Sequence, residues 1–294
     1  VPALTDGADA REVEYRYPDF LCVGAQKAGT TWLDRNLRRH PALWLPPMKE
    51  LQYFNHVHMP SNRKWTTRQR RERGTQMLRN YVEKRSPEEW DLRRIARLAD
   101  ISAGPVSDDW YGRIFTLAEP EQLCGEVTPD YATLPDEGIR HVLRLSPEMR
   151  IILSLRDPIE RSWSHIRMIS EARGISEVAE METMAANVDQ VRRADYPAMI
   201  ANWRRFIPQD RLHIIFMDDI ASDPARVLKS VCGFLGVRFR EKKFAKADNA
   251  IHVGKPREIP PRVLAVLKTR LRPIYDRLAE IYPEIAARWA ERHY

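Results

Sequence analysis

Residues 20–37 read FLCVGAQKAGTTWLDRNL, and the succession of residue types in this stretch decides the fold. Phe20 to Val23 is an apolar run closing on Gly24. From Thr30 the apolar Trp32, Leu33 and Leu37 recur at helical spacing, and Pro41 stops the pattern. The reading is strand, tight loop, helix. At such a junction the first helical amides lack intrahelical acceptors and the helix dipole points its positive end at the loop. Gly24-Ala-Gln26-Lys27-Ala28-Gly29-Thr30-Thr31 is therefore an anion site, with a lysine charge at its centre and paired hydroxyls at the helix start.

The same pattern recurs downstream. Met149 to Leu155 (MRIILSL) predicts a buried strand, followed by Arg156-Asp157-Pro158 and a helix from Ile159 to about Ala172 that Gly174 ends. Leu212 to Met217 (LHIIFM) predicts another strand. Asp223 then caps a helix that begins with Pro224 and runs to about Leu235, and Cys124 to Val127 adds a short strand. Strands alternating with helices predict an α/β fold, a parallel β-sheet flanked by helices, with ligands beyond the carboxyl ends of the strands. No linker interrupts the chain, so residues 1–294 are expected to form one domain. Between about residues 55 and 122 the sequence turns charged, Trp-bearing and helical, which predicts an insertion that shapes a second, acceptor-side pocket. From Arg262 to Arg292, Leu264, Leu267, Leu271, Ile274 and Leu278 fall at near-heptad steps, which suits a helix packed on the core or the seam of a homodimer.

Composition narrows the partners. A net charge of +7 favours anionic ligands, but the basic run from Arg63 to Arg73 has no alternating aromatics and reads as a solvated helix, so no nucleic-acid partner is expected. No stretch approaches the roughly 18 apolar residues that span a bilayer, so no membrane span is expected and the chain as given reads as soluble. Cys22, Cys124 and Cys232 are odd in number and flanked by apolar residues, as buried reduced thiols are, and no Asn-x-Ser/Thr site occurs. The expected compartment is the cytoplasm.

Gly24 and Gly29 have the spacing of the nucleoside-triphosphate P-loop, but Thr30 stands where its lysine would follow the second glycine, and Lys27 lies inside the loop. A lysine there points across a bound 5′-phosphate toward a group in transfer. YPDFLCVGAQKAGTTWLDRNLRRHP from Tyr17, followed by LPPMKELQYF from Leu45, resembles the opening of sulfotransferases that use 3′-phosphoadenosine 5′-phosphosulfate (PAPS). The likeness is to the heparan-sulfate-type branch and its bacterial relatives. It implies a P-loop-like sulfotransferase fold with a helical insertion, PAPS as co-substrate, adenosine 3′,5′-bisphosphate as product, and no metal. Gly24, Gln26, Lys27, Ala28, Gly29, Thr30, Thr31 and Trp32 would surround the 5′-phosphosulfate. Arg156 and Ser164 match the family's 3′-phosphate motif, and Lys255 and Arg257 match its late loop over the nucleotide.

The resemblance also assigns chemistry: Glu50 would be the base toward the acceptor hydroxyl and Lys27 the catalytic charge at the leaving oxygen. His56, His58 and His165 are competing bases, because the small-molecule branch uses His, although none falls in a matched motif. Gly125 to Tyr131 resembles an acceptor-side motif in which Val127 replaces a lysine, leaving Glu126 and Tyr131, with His56 and Trp110, as acceptor-side candidates. The missing lysine argues against a highly sulfated polysaccharide and tilts the acceptor toward a moderately apolar hydroxyl compound, a small molecule or a carrier-bound intermediate. Two rivals remain: a P-loop kinase or other NTPase, which would require ATP and Mg²⁺, and a non-catalytic polyanion-binding protein, which would bind in a steeply salt-dependent way without PAPS.

Overall fold

The computed structural model describes residues 15–245, 247 and 258–294. β1 (Phe20–Gly24) leads through the Gly24–Gly29 loop into α1 (Thr30–Leu37), and a two-residue strand, β2 (Leu43–Trp44), follows. Four helices then precede the next strand: α2 (Tyr53–His58), α3 (Arg63–Glu83), α4 (Leu92–Ala103) and α5 (Asp108–Phe115). The sheet resumes with β3 (Leu123–Val127), α6 (Asp136–Leu145) and β4 (Arg150–Leu155). Beyond it lie α7 (Pro158–Arg173), α8 (Val178–Ala186), α9 (Val188–Arg192) and α10 (Tyr196–Arg204). Next come β5 (Leu212–Phe216), α11 (Met217–Ser222), α12 (Pro224–Leu235), α13 (Pro261–Ile281) and α14 (Pro283–Glu291).

All strand pairs are parallel and the order is β2-β3-β1-β4-β5. β1 is thus the central strand, and the connection from β3 to β4 crosses it, which opens a crevice at the carboxyl ends of β1, β3 and β4. Alternation along the strands fixes the two faces. Leu21 and Val23 of β1 and Ile151, Leu153 and Leu155 of β4 join the larger core, against α7, α10 and α13. Phe20, Cys22 and Ile152 face the other way, onto α1 and α12. With both faces covered the strands are continuously apolar, which is why they are legible as runs rather than as alternation.

Helix ends follow local chemistry. Asp157 caps α7 by accepting from the Ile159 and Glu160 amides, Pro158 occupies its first position, and Gly174 ends it at φ 67°. Asp223 caps α12 through the Arg226 amide. The sequence reading of Arg262–Arg292 as one helix is corrected by a break at Tyr282-Pro283, where proline cannot continue the hydrogen-bond ladder. Leu267, Leu271, Ile274 and Leu278 are buried in the chain's own core, so this stripe is not a free dimer seam. Cys22, Cys124 and Cys232 are unpaired and buried, and burial pushes the thiols of the first two up to about 12.

One packing detail holds the central strand pair. Phe20 lies opposite Gly125, and its ring covers that glycine so closely that a Cβ there would meet ring carbons at 2.0–2.4 Å. Gly125→Ala is expected to destabilise the fold by about 1–3 kcal/mol, through overpacking against a wholly buried ring. Urea unfolding checks this; a variant as stable as the parent would show that the strand pair adjusts freely.

Candidate active site

The crevice holds a cavity of about 380 Å³. Its floor is the loop after β1. Gly29 begins α1 at φ 82°, a left-handed conformation that favours glycine, and no side chain caps the helix. The amides at its start therefore face the cavity, with Thr30 and Thr31 in the lining. Gly24 allows a different contact: a Cβ there would lie 2.7 Å from the Ala132 Cβ, so glycine lets β1 pass beneath the segment after β3.

Lys27 sits in this loop at φ 69°, also left-handed, and Glu50 across the cavity at φ 63°. Such backbone costs of order 1–3 kcal/mol for a side-chain-bearing residue and persists only where the surroundings enforce it. The Glu50 amide donates to the Val127 carbonyl at 3.2 Å, which fixes Glu50 at the carboxyl end of β3. Its carboxylate accepts from Lys49 Nζ at 2.9 Å and from Arg73 Nη1 at 3.3 Å. Lys49 also donates to Thr31 Oγ1 at 3.2 Å, so one ammonium joins the loop to the carboxylate.

Arg156 leaves the carboxyl end of β4 and enters the same cavity, its Nη1 3.4 Å from the Lys27 carbonyl oxygen, and Ser164 on α7 lines the cavity beside it. Desolvation, then repulsion from Arg156 and Arg167, holds the Lys27 ammonium below its ordinary pKa. Cations gathered in a half-buried cleft favour an anion there, whose charge would offset their mutual repulsion.

Of the loop residues singled out in the sequence, Gln26, Lys27, Gly29, Thr30, Thr31 and Trp32 line the cavity. Gly24 and Ala28 do not: Gly24 packs under the segment after β3, and Ala28 is buried, its carbonyl accepting from Ser154 Oγ and bracing the loop from below. Lys255 and Arg257 lie outside the described residues. The acceptor-side candidates need correction. Glu126, Tyr131 and Trp110 are fully buried in the core, and the Glu126 carboxylate takes hydrogen bonds from Tyr111 Oη at 2.6 Å, Tyr131 Oη at 3.0 Å and Thr128 Oγ1. Burial raises the Glu126 pKa against the lowering effect of these three donors. His56 bonds to Thr66 Oγ1 at 3.0 Å and is outside the cavity lining, as are His58 and His165. Desolvation, with Arg161 and Arg193 nearby, lowers His165 to about 3, leaving it neutral.

Part of the cavity wall comes instead from α3. Trp65, Gln69 and Arg73 succeed one another at steps of four residues, so one face of this helix looks into the cavity. The four-residue spacing was the available signal, but it is masked by polar and basic residues on every side of α3. Among the described residues no group of three or more His, Cys, Asp or Glu side chains is set to hold a metal, and no helix is long and apolar enough to cross a membrane.

An uncapped helix start, a loop lysine and an arginine from the neighbouring strand thus share one cleft of a parallel α/β sheet. Residues 18–241 match the model of the sulfotransferase family, and the chain belongs to that family. It is 29% identical over 150 residues to the membrane-associated sulfotransferase kil1 of Dictyostelium discoideum, covering 50% of this chain and 22% of kil1. Heparan sulfate glucosamine 3-O-sulfotransferase 6 of Mus musculus is 26% identical over 136 residues, 44% of this chain and 40% of the mouse protein. The chain therefore spans well under half the length of these curated relatives. The crystal structure of a sulfotransferase from Alicyclobacillus acidocaldarius superposes with a TM-score of 0.63 at 21% identity, over 93% of this chain and 98% of that one. Mouse sulfotransferase SULT7A1 complexed with PAP gives a TM-score of 0.51 at 13% identity, over 95% of this chain and 90% of that one. At these identities what is shared is the P-loop-like sulfotransferase fold.

Tyr131→Phe tests the corrected role of the buried carboxylate. Removing one of its donors is expected to cost about 1–3 kcal/mol of stability in urea unfolding and to leave anion binding at the loop unchanged. Weakened anion binding with unchanged stability would return Glu126 and Tyr131 to the site.

Proposed function

We propose that this chain transfers a sulfuryl group from PAPS to an acceptor hydroxyl. The observation that carries the proposal is the convergence of the Lys27 loop, the Arg156–Ser164 pair and Glu50 on a single cavity. The residues present suit such a donor: the α1 amides with Thr30 and Thr31 fit the 5′-phosphosulfate, and the Arg156 fork with the Ser164 hydroxyl fits the 3′-phosphate. The donor supplies the activated sulfuryl group. Every other role is assigned to this chain's own side chains and loop amides.

In the proposed mechanism Glu50 Oε accepts the proton of the acceptor hydroxyl as that oxygen attacks in line. Lys27 Nζ and the loop amides stabilise the charge that develops on the departing phosphate oxygen. The lowered Lys27 pKa is consistent with an ammonium that gains most when that charge appears. Lys49, bonded to both Thr31 and Glu50, keeps base and loop in register. Trp65 and Gln69 offer an aromatic face and an amide to the acceptor, which suits a small or carrier-bound hydroxyl compound. Three buried, unpaired thiols favour a reducing compartment such as the cytoplasm.

Transfer of label from ³⁵S-PAPS to a panel of hydroxyl acceptors tests the reading. Glu50→Gln is expected to lower turnover by about 10²–10⁴-fold while retaining nucleotide binding. Lys27→Ala is expected to reduce turnover more than donor affinity. Transfer by Glu50→Gln at the parent rate would move the base elsewhere.

A further inference from the structure

The turn that carries Arg156 is wired to residues that line no part of the cavity. Glu160, one helical turn along α7, accepts from Arg156 Nε at 3.2 Å and Nη2 at 3.1 Å through one carboxylate oxygen. Its other oxygen accepts from Arg292 Nη1 at 3.3 Å, just past the end of α14. Arg292 is anchored in turn, because its Nη2 pairs with Asp218, which also accepts from Trp289 Nε1 at 2.8 Å. The neighbouring His293 ring lies 3.1 Å from Asp157 Oδ1, the oxygen that caps α7 and also accepts from Tyr275 Oη at 2.9 Å. Asp157 is completely buried. The two residues after α14 therefore reach the Arg156-Asp157-Pro158 turn, His293 directly at Asp157 and Arg292 through Glu160.

This arrangement answers a difficulty in the site. An arginine fork discriminates well only if it is held in one orientation, and Glu160 supplies that hold. A carboxylate so close to a phosphate would also repel it. A second arginine on the far carboxylate oxygen keeps Glu160 in place and offsets its charge. We propose that Arg292 is a positioning residue for recognition of the nucleotide's 3′-phosphate, acting through Glu160 on Arg156. The inference rests on the donor reading above.

Calorimetric titration with adenosine 3′,5′-bisphosphate and with AMP, which lacks the 3′-phosphate, separates the two. Arg292→Ala is expected to weaken the bisphosphate about tenfold and leave AMP unchanged, with Arg292→Lys retaining most of the parent affinity. In a Glu160→Gln background the Arg292→Ala effect is expected to disappear, and Glu160→Gln alone, which keeps an oxygen to hold Arg156 but removes the charge that repels the phosphate, to tighten the bisphosphate but not AMP. Thermal unfolding confirms that each variant is folded, and Arg292→Gln, which keeps a long polar side chain without the charge, takes the place of Arg292→Ala should that variant not fold. Equal weakening of both ligands, no weakening, or an undiminished effect in the Glu160→Gln background would overturn the proposal. If the parent protein itself fails to prefer the bisphosphate over AMP, the donor reading falls, and this inference with it.

Discussion

Lys27, Lys49, Arg73 and Arg156 come from four separate segments and meet around one cleft, and holding these cations close together is the constraint on which the rest of the structure depends. Desolvation and mutual repulsion oppose the arrangement, as the depressed Lys27 pKa records. The fold resists this with rigid supports. The Lys27 loop is braced by Ser154, Arg156 by Glu160, and Lys49 and Arg73 by Glu50. Around the cleft, Ser154 acts on the loop backbone, whereas Glu160 and Glu50 pair directly with the charged groups. An anion seated there would recover energy that folding alone does not, which is how a binding site is preorganised.

That preorganisation is a property of the sheet. With β1 central and the chain crossing it between β3 and β4, the Lys27 loop, Glu50 and Arg156 all sit at carboxyl ends of adjoining strands. Left-handed backbone at Lys27 and Glu50 turns both side chains from the strand directions into the cleft. Residues 18–241 match the sulfotransferase family, so the described strands and both anion-binding segments lie within the shared region. The helices α13 and α14 lie outside it, yet Tyr275, Arg292 and His293 reach back to Asp157 and Glu160.

Much of this was legible in the sequence, for identifiable reasons. The strands at Phe20 and Arg150 are buried on both faces and, like the half-buried edge strand at Leu212, show as apolar runs, while Asp157-Pro158, Gly174 and Asp223-Pro224 punctuate the helices by local chemistry. β2 is only two residues long and gives no periodic signal. The Lys49-Glu50 pair illustrates a different limit. As adjacent opposite charges they look like a surface ion pair, and they are ion-paired, but within the cavity. Glu126 and Tyr131 mislead in the opposite direction: their polarity suggests a pocket, whereas they satisfy each other inside the core. The inward face of α3 was hidden because charge surrounds it, and only the tertiary packing selects Trp65, Gln69 and Arg73. Val127, where related sugar sulfotransferases are expected to carry lysine, is buried against the α1 side of the sheet.

The most direct measurement is calorimetric titration of the protein with adenosine 3′,5′-bisphosphate, compared with ATP plus Mg²⁺ and repeated with Arg156→Ala. The expected result is tight binding of the bisphosphate, weakened about 10–100-fold by the substitution and not reproduced by ATP. Binding of ATP with Mg²⁺ in the absence of bisphosphate binding would contradict the assignment of the cleft to a sulfuryl donor.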